Sequence, residues 1–365
     1  MKRYVMIDTF KCIACYAVIC LHALPFEPVV LYNQPIGTHL LFFIDTVSRF
    51  AVPFFFMASG FMYIKKTMNS SNAHDYFRKY AVNLALLYFG WCIFYAVYTF
   101  GIHSWEVFEK SVTVSLQSFS VNDYKNAIKL LYQVFYSGGY VEFFHLWFLI
   151  ALLWSIIILH FCFQHNKLSV LLAISLLLYI FGLFGDSYRG LYSLPFRTRT
   201  AIFFGLFYCT LGGFIAFHEE RVNAFIAKWG AMRIGFAIIL FGSLQLVERF
   251  ILIQQFHGTL NDNFFIMTLP FVVCLFFFSL GAPPPALNEQ WIISISDKVV
   301  GIYLIHPIVM EELALVGQMM GIDRKSFIYQ AMFVPLVFFF FFFIYKYIFL
   351  IYHWSKMRMK AVMNG

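Results

Sequence analysis

Charged residues are scarce in this sequence. Asp, Glu, Lys and Arg make up 12% of its 365 residues, whereas soluble domains contain roughly 25% charged residues. Hydrophobic residues make up 61% of the chain and include 49 Phe and 22 Tyr. A soluble fold of this composition would have to expose much of that apolar surface to water. The composition therefore excludes an ordinary soluble domain and indicates an integral membrane protein.

The sequence also lacks a cluster of basic residues, although its formal net charge is +8. Its 26 Lys and Arg are scattered between apolar runs instead of being gathered in one basic domain. This distribution is typical of charges that set membrane topology, and it argues against nucleic acid as a partner. We expect the lipid bilayer to be the surrounding medium.

Cysteine chemistry has little support in the sequence. The seven Cys lie mostly inside apolar stretches, where Cys behaves as a small hydrophobic residue. Cys12 and Cys15 form a C-x-x-C pair, but their segment supplies neither the partners nor the access that a zinc or redox site needs. We therefore expect no disulfide, no thiol nucleophile, no metal site and no permanently bound cofactor.

Long apolar segments recur along the whole chain. Each is long enough, or nearly so, to cross a hydrocarbon core of about 30 Å as a helix. They lie at residues 4–24, 38–64, 80–102, 143–163, 168–184, 199–217, 232–255, 264–282, 292–320 and 327–352. We predict an all-α fold, a polytopic membrane bundle of about ten transmembrane helices that forms a single domain over residues 1–365. Most Lys and Arg in the connections fall on the side of the N-terminus, which predicts an N-in and C-in topology.

Ionisable residues inside the first predicted helix are the strongest functional signal. A charge at mid-membrane costs at least ~2.5 kcal/mol, so each one is a functional hypothesis. Lys11 and His22 are eleven residues apart, which places them on one helix face, about 16 Å apart along the axis. Asp8, three residues before Lys11, can pair with that lysine. This helix therefore presents a base and a cation on the same side.

The second predicted helix carries an ion pair of its own. Asp45 and Arg49 are four residues apart, the spacing of an intrahelical pair. Pro53 removes the hydrogen bond that would reach back to the carbonyl of Arg49, so a kink or a free carbonyl is expected there. We expect Arg49 to lie at about the depth of Lys11, so that both cations and His22 line one internal chamber.

Further candidates lie on other predicted helices, and each also has a plain structural interpretation. His145 and Trp147 open the fourth helix and could be interfacial anchors. Glu248 could neutralise a neighbouring charge, and His306 could be a core histidine bonded to a backbone carbonyl. Arg199 opens the sixth helix in a short outer connection, where topology alone does not favour a basic residue.

Histidine is the side chain best suited to take a proton near neutral pH, and buried cations stabilise a developing anion. Together they suit the transfer of an acyl group from a thioester to a hydroxyl. The same residues would also suit a polysaccharide or small-anion transporter, which needs a binding site but no base. Two other readings are a haem held between His22 and His306 and a non-catalytic membrane partner of a glycan synthase.

An ordered set of short motifs extends along nearly the whole chain. It comprises Asp8 through Lys11 to His22, Ser48-Arg49 with Val52-Pro53-Phe54-Phe55-Phe56-Met57-Ala58-Ser59-Gly60, His145-Leu146-Trp147-Phe148, Arg199 with Phe203-Phe204-Gly205, Glu248, and Gly301-Ile302-Tyr303 with His306. In this set the chain resembles acyltransferase family 3 of bacterial membrane proteins, and within it the branch of the enterobacterial common antigen O-acetyltransferase.

The resemblance implies a ten-helix bundle in the bacterial cytoplasmic membrane. It implies transfer of an acyl group, commonly acetyl, from cytoplasmic acyl-coenzyme A to a glycan hydroxyl at or near the outer side. It further implies that His22 matches the family's essential histidine. Lys11 stands where many members have arginine, which keeps the charge but loses bidentate geometry. We expect no hydrolase-like domain after the last predicted helix of this sequence, and therefore direct transfer to the acceptor.

These observations lead to a site hypothesis in which His22 is the general base on the acceptor hydroxyl. Arg49, Lys11 and Arg199 would stabilise negative charge in the tetrahedral state. Roles for the remaining residues follow from this core. Glu248 or Asp45 would orient His22 or an arginine, His306 would be a second proton carrier or a positioning residue, His145 and Trp147 with Arg199 and Asp45 would contact substrate, and Arg78 and Lys79, with Lys65 and Lys66, would meet the coenzyme A phosphates.

Overall fold

The structure is a computed structural model of the chain, and it describes residues 3–30, 36–102, 131–138, 144–194, 196, 198–259, 262–283 and 288–340. Every regular element within these ranges is helical, which confirms the predicted all-α class. The C-terminal part of the last predicted segment, beyond residue 340, lies outside the described residues.

Within the described ranges, twelve α-helices are numbered here in chain order. They are α1 Val5–Ala23, α2 Ile36–Ser48, α3 Ala51–Met68, α4 Ala73–Ile102, α5 Trp147–Gln164, α6 Leu168–Leu183, α7 Leu206–Phe217, α8 Glu219–Gln255, α9 Thr268–Gly281, α10 Glu289–Ser296, α11 Val299–Met319 and α12 Phe327–Phe340. Two short π-helical turns lie at Gln133–Ser137 and Ala201–Gly205, and a 3₁₀ turn lies at Phe144–Leu146.

Six helical segments in the described ranges are long and apolar enough to cross a membrane. They are Val5–Ala23, Ile36–Met68, Ala73–Thr99, Trp147–Gln164, Glu219–Gln255 and Val299–Met319. Four shorter apolar helices coincide with the other predicted segments: Leu168–Leu183, Ala201–Phe217, Thr268–Gly281 and Phe327–Phe340. The chain is thus a multi-pass membrane protein. The count of ten spans and the N-in and C-in topology stay predictions.

The sequence predicts one helix over residues 38–64, with a kink or a free carbonyl beside Arg49, and the structure instead has two helices there. Helix α2 ends at Ser48, Arg49 and Phe50 form a turn, and α3 begins at Ala51. Pro53 therefore lies in the first turn of α3, where a missing N–H removes no helical hydrogen bond. Arg49 is consequently placed in a connection between two helices and not within a helix.

Two other predicted segments differ from the structure for local reasons. Residues 292–320 are divided between α10 and α11. Helix α8 begins well before the predicted start at residue 232, and Gly230 within it has φ 76° and ψ 152°. Positive φ is a conformation that glycine adopts without steric cost. The chain therefore kinks at Gly230, and the apolar part of α8 follows that kink.

The described chain forms two compact units, named here by their residues. Unit 1 comprises residues 1–51 and 277–365, and unit 2 comprises residues 52–276. In unit 1, α1 packs against α2, α10 and α11. Its buried face includes Ala14, Cys15, Val18 and Ile19, each 2% exposed or less. Helices α1 and α11 are thus brought side by side within unit 1.

The core of unit 2 surrounds α7, which packs against α5 and α6. Helix α3 also approaches α7 closely, because glycines stand at both contact points. A Cβ on Gly60 would lie 1.9 Å from the carbonyl oxygen of Cys209, and a Cβ on Gly212 would lie 1.9 Å from that of Met57. The backbones of α3 and α7 are therefore in close contact, and any larger residue at Gly60 or Gly212 would force the two helices apart.

Candidate active site

His22 and His306 meet inside unit 1, although 284 residues separate them in the chain. His22 lies in the last turn of α1, and His306 lies in α11. The His22 Nδ1 and the His306 Nε2 are 2.6 Å apart. The ring centroids are 4.8 Å apart and the ring planes differ by 17°. Because the two nitrogens are much closer than the centroids, the rings meet edge to edge in nearly one plane, as a hydrogen bond between them requires.

The two imidazoles differ in their surroundings. His306 is 1% exposed, and its Nδ1 lies 2.6 Å from the carbonyl oxygen of Tyr303 in the same helix. His22 is only partly buried. A haem between the two histidines would need an iron atom between nitrogens that are in direct hydrogen-bond contact, so this geometry does not fit that reading.

Lys11 and Asp8 form the ion pair that their spacing predicts, with 2.9 Å between Nζ and Oδ1. Asp8 is 5% exposed and accepts two further hydrogen bonds. Arg3 Nε donates to it over 2.7 Å, and Ser296 Oγ at the end of α10 donates over 2.8 Å. Arg3 also reaches Asp297 over 2.7 Å. A buried carboxylate with three donors thus joins the start of α1 to the end of α10.

Arg49 and Asp45 also form the predicted pair. The Nε and Nη2 atoms of Arg49 lie 2.9 to 3.0 Å from the two carboxylate oxygens of Asp45. The side chains are 10% and 2% exposed, respectively. This fork arrangement fixes the plane of the guanidinium as well as its position. The shared depth of Arg49 and Lys11 stays a prediction.

Three predicted substrate-contacting residues lie in unit 2, and two of them are adjacent. The guanidinium of Arg199 lies over the ring of Trp147, 5.3 Å from its centroid. Arg199 Nη1 also lies 3.5 Å from the side-chain oxygen of Asn263. His145 is 1% exposed and its ring meets the edge of Tyr95, with centroids 5.0 Å apart. Arg199 therefore rests on an aromatic face, which favours a planar cation.

A π-helical turn, Ala201–Gly205, begins directly after Arg199 and Thr200. Such turns occur often at functional sites, where they change the direction of a helix within one turn. Thr200 itself has extended backbone angles. The irregular backbone at this point separates Arg199 from the regular helix α7 that follows.

Glu248 has local partners in unit 2. Its carboxylate accepts hydrogen bonds from the Tyr188 hydroxyl, from the backbone N–H of Ile266 over 2.6 Å and from that of Met267 over 2.8 Å. Burial raises the pKa of Tyr188, and the neighbouring Glu248 carboxylate raises it further, so the hydroxyl keeps its proton at neutral pH. These bonds fasten the segment before α9 to α8. An orienting role of Glu248 toward His22 stays a prediction.

The basic residues expected to bind coenzyme A lie near the end of α3 and near the start of α4. Arg78 and Lys79 are exposed in the second turn of α4. Lys66 is exposed near the end of α3, whereas the ammonium of Lys65 is bound by Glu219. Arg78, Lys79 and Lys66 thus offer accessible positive charge, and Lys65 already serves an ion pair.

Sequence reasoning missed partners that are distant in the chain. The His160 Nδ1 lies 2.8 Å from the hydroxyl of Tyr63, and its ring stacks on Phe77 with centroids 4.0 Å apart. Ser296 was also missed as a donor to Asp8. Spacing within one helix carries no signal for either contact, because each joins two helices.

The chemistry available in unit 1 is therefore a hydrogen-bonded imidazole pair with one partly accessible ring, together with paired cations on α1 and after α2. Such a pair can hold or accept a proton at a defined nitrogen, and oriented cations can stabilise an anion. This arrangement is consistent with acyl transfer to a hydroxyl.

Comparison with known proteins identifies both relatives and a protein family. Two curated relatives, both named amino-acid racemase, come from Enterococcus faecalis. One is 25% identical over 336 residues, which are 88% of this chain and 43% of the relative. The other is 27% identical over 292 residues, which are 75% of this chain and 35% of the relative. The chain spans less than half the length of each, and no solved structure matches it.

A family model described as an acyltransferase domain matches residues 4–353, nearly the whole chain. The matched range contains every site residue that the sequence predicts. The matched range also extends through both compact units, so the family assignment applies to unit 1 and unit 2 alike. The chain therefore belongs to acyltransferase family 3.

Proposed function

We propose that this protein is an O-acyltransferase of the bacterial cytoplasmic membrane. It takes an acyl group, acetyl in the simplest case, from acyl-coenzyme A on the cytoplasmic side. It passes that group to a hydroxyl of a cell-surface or lipid-linked glycan. The observation that carries the proposal is the His22–His306 pair within a chain of this family, because it provides a base whose orientation is fixed.

In this mechanism His22 accepts the proton of the acceptor hydroxyl as the oxygen attacks the thioester carbonyl. The carbon–oxygen bond forms and the carbonyl oxygen becomes an oxyanion. The oxyanion then collapses, the carbon–sulfur bond breaks, and the coenzyme A thiolate leaves. The proton held on His22 neutralises that thiolate. Products are an ester of the acceptor and free coenzyme A.

Lys11 and Arg49 have different roles in this proposal because Lys11 lies on α1 and Arg49 follows α2. Lys11 is about 16 Å from His22 along the helix, and its bond to Asp8 directs its ammonium toward the N-terminal end of α1. We assign Lys11 to the anionic part of the donor. Arg49, whose guanidinium plane is fixed by Asp45, is assigned to the oxyanion.

The racemase names of the two relatives do not determine the function of this chain. The matched regions cover 43% and 35% of those proteins, so their named activity can reside in the parts that this chain does not match. An assay of amino-acid racemisation with the purified protein is therefore included as a negative control. Racemisation at an enzymatic rate would contradict the proposal.

The experiment is transfer of labelled acetyl from acetyl-coenzyme A by the purified protein in lipid, with a glycan extract from a deletion strain as acceptor. The wild type should form labelled glycan, identified by the mass of one acetyl group. His22→Ala should reduce transfer by about 10²–10⁴-fold, the usual contribution of a general base. His39→Ala is the matched control, because His39 is an exposed histidine in α2 of the same unit.

Three outcomes would contradict the proposal. Undiminished transfer by His22→Ala at normal protein levels would remove the base. Uptake of an anion by vesicles without any acylation would favour the transporter. Loss of glycan synthesis, instead of loss of glycan acetylation, in a deletion strain would favour a non-catalytic partner of a synthase.

A further inference from the structure

The sequence left two roles open for His306, a second proton carrier or a positioning residue. The two roles differ in how the protonation of His306 changes during the reaction. A carrier must give its proton away and take another during the reaction. A positioning residue keeps one protonation state throughout, and the groups around it must fix that state.

The residue after His306 supplies the first constraint. Pro307 lies inside α11, and proline has no backbone N–H. In an α-helix that N–H would bond to the carbonyl four residues earlier, which here belongs to Tyr303. The donor that a helix usually gives to the Tyr303 carbonyl is therefore missing at residue 307. The His306 Nδ1, 2.6 Å from this oxygen, is in the position to replace that donor.

The direction of this bond has only one solution. A carbonyl oxygen accepts hydrogen bonds and donates none, so the proton must be on the His306 Nδ1. A neutral imidazole carries one proton, and the His306 Nε2 is then an acceptor. The His22 Nδ1 lies 2.6 Å from that Nε2 and therefore donates to it. Neutral His22 then has its lone pair on Nε2.

We infer that His306 is a positioning residue. His22 donates to His306, and His306 donates to the Tyr303 carbonyl beside Pro307. These two hydrogen bonds make Nε2 of His22 the nitrogen that takes the acceptor proton. This inference rests on the proposed function. His306 stays neutral throughout the reaction. When His22 becomes an imidazolium, its Nδ1–H still donates to His306, which stabilises the new charge without a second proton transfer.

Substitution of His306 distinguishes the two roles. In His306→Gln the amide oxygen can take the position of Nε2 and accept from His22, but the amide cannot carry a proton at neutral pH. We expect His306→Gln to keep acyl transfer within about tenfold of wild type, and His306→Ala to lose about 10²–10⁴-fold, as for a base with the wrong tautomer. Equal inactivity of both variants at normal membrane levels would overturn the positioning role.

A matched control exists in His165. Its Nδ1 lies 2.7 Å from the carbonyl oxygen of Phe161, the same kind of bond that His306 makes to Tyr303, but His165 is exposed at the end of α5. His165→Gln should leave acyl transfer unchanged. If His165→Gln and His306→Gln reduced acyl transfer equally, the loss in His306→Gln would reflect a general response to replacing histidine by glutamine. That outcome would contradict the claim that the glutamine oxygen replaces Nε2 of His306.

A second measurement is independent of activity. Protein labelled with ¹⁵N-histidine is reconstituted in lipid, and the imidazole ¹⁵N spectrum is recorded above the pH at which histidine titrates. The difference between the spectra of wild type and His22→Ala should show a protonated Nδ1 and an unprotonated Nε2 for His22. The opposite tautomer would overturn the inference while leaving the acyltransferase proposal intact. Acyl transfer by His22→Ala would instead remove the proposed function itself.

Discussion

Asp8 and Asp45 in unit 1 have a different kind of partner from Glu248 and Asp186 in unit 2. In unit 1, Arg49 binds the Asp45 carboxylate, and Lys11 binds Asp8. In unit 2, the carboxylate of Glu248 binds the backbone N–H groups of residues 266 and 267. Asp186 accepts in the same way from residues 263 and 264, over 2.6 and 3.2 Å.

This difference separates structural charges from charges that can take part in chemistry. A carboxylate that binds backbone N–H groups fixes the path of a loop, and it cannot change partner without unfolding that loop. Two ionised side chains can rotate away from each other when an anionic substrate arrives. A charge inside a membrane helix is therefore not functional in every case, and the nature of its partner indicates which role it has.

The largest effect that would sharpen this comparison is expected for Asp45→Asn in unit 1. The change removes the carboxylate charge from a buried bidentate pair, which costs about 3–5 kcal/mol when one partner is lost. Thermal unfolding in detergent should show a large decrease in stability, and acyl transfer should fall with it. Asp75→Asn is the control, because Asp75 is exposed in α4. Equal unfolding temperatures for the two variants would contradict a tight pair.

A smaller effect of a different kind is expected for Glu248→Gln in unit 2. The amide keeps one acceptor oxygen but cannot accept from Tyr188 and two backbone N–H groups as the carboxylate does. The free energy of unfolding should fall by about 1–3 kcal/mol. If Glu248 only fixes the path of this loop, the rate of acyl transfer per folded molecule should stay unchanged. A loss of rate with unchanged stability would instead give Glu248 a part in the reaction.

The smallest effect is expected at Arg199, and it tests whether a charged residue of unit 2 also takes part in the reaction. In Arg199→Lys the charge remains, but the planar contact with Trp147 is lost, which costs about 0.5–1 kcal/mol. If Arg199 contacts the substrate, KM should rise a few-fold and kcat should stay unchanged. Arg221→Lys is the control, since Arg221 is exposed at the start of α8. A decrease in kcat would place a transition-state interaction in unit 2 as well.

Much of the fold could be predicted because membrane helices are recognised by composition and length. The pairs Asp8–Lys11 and Asp45–Arg49 could also be predicted, since helical geometry alone brings residues three or four apart together. The break at Arg49 was missed because a long apolar run does not show where a helix ends. A turn inside such a run leaves the hydrophobic pattern of the sequence unchanged.

The amino-acid sequence by itself determined that the chain is an all-α membrane protein and that His22, Lys11 and Arg49 are exceptional in it. It also determined that the Tyr303 carbonyl loses a donor, since Pro307 has no N–H to give. Only the tertiary structure decided that His22 is the partner of His306. The physical reason is that spacing along one helix is fixed by backbone hydrogen bonds, whereas contact between α1 and α11 depends on how their side chains pack.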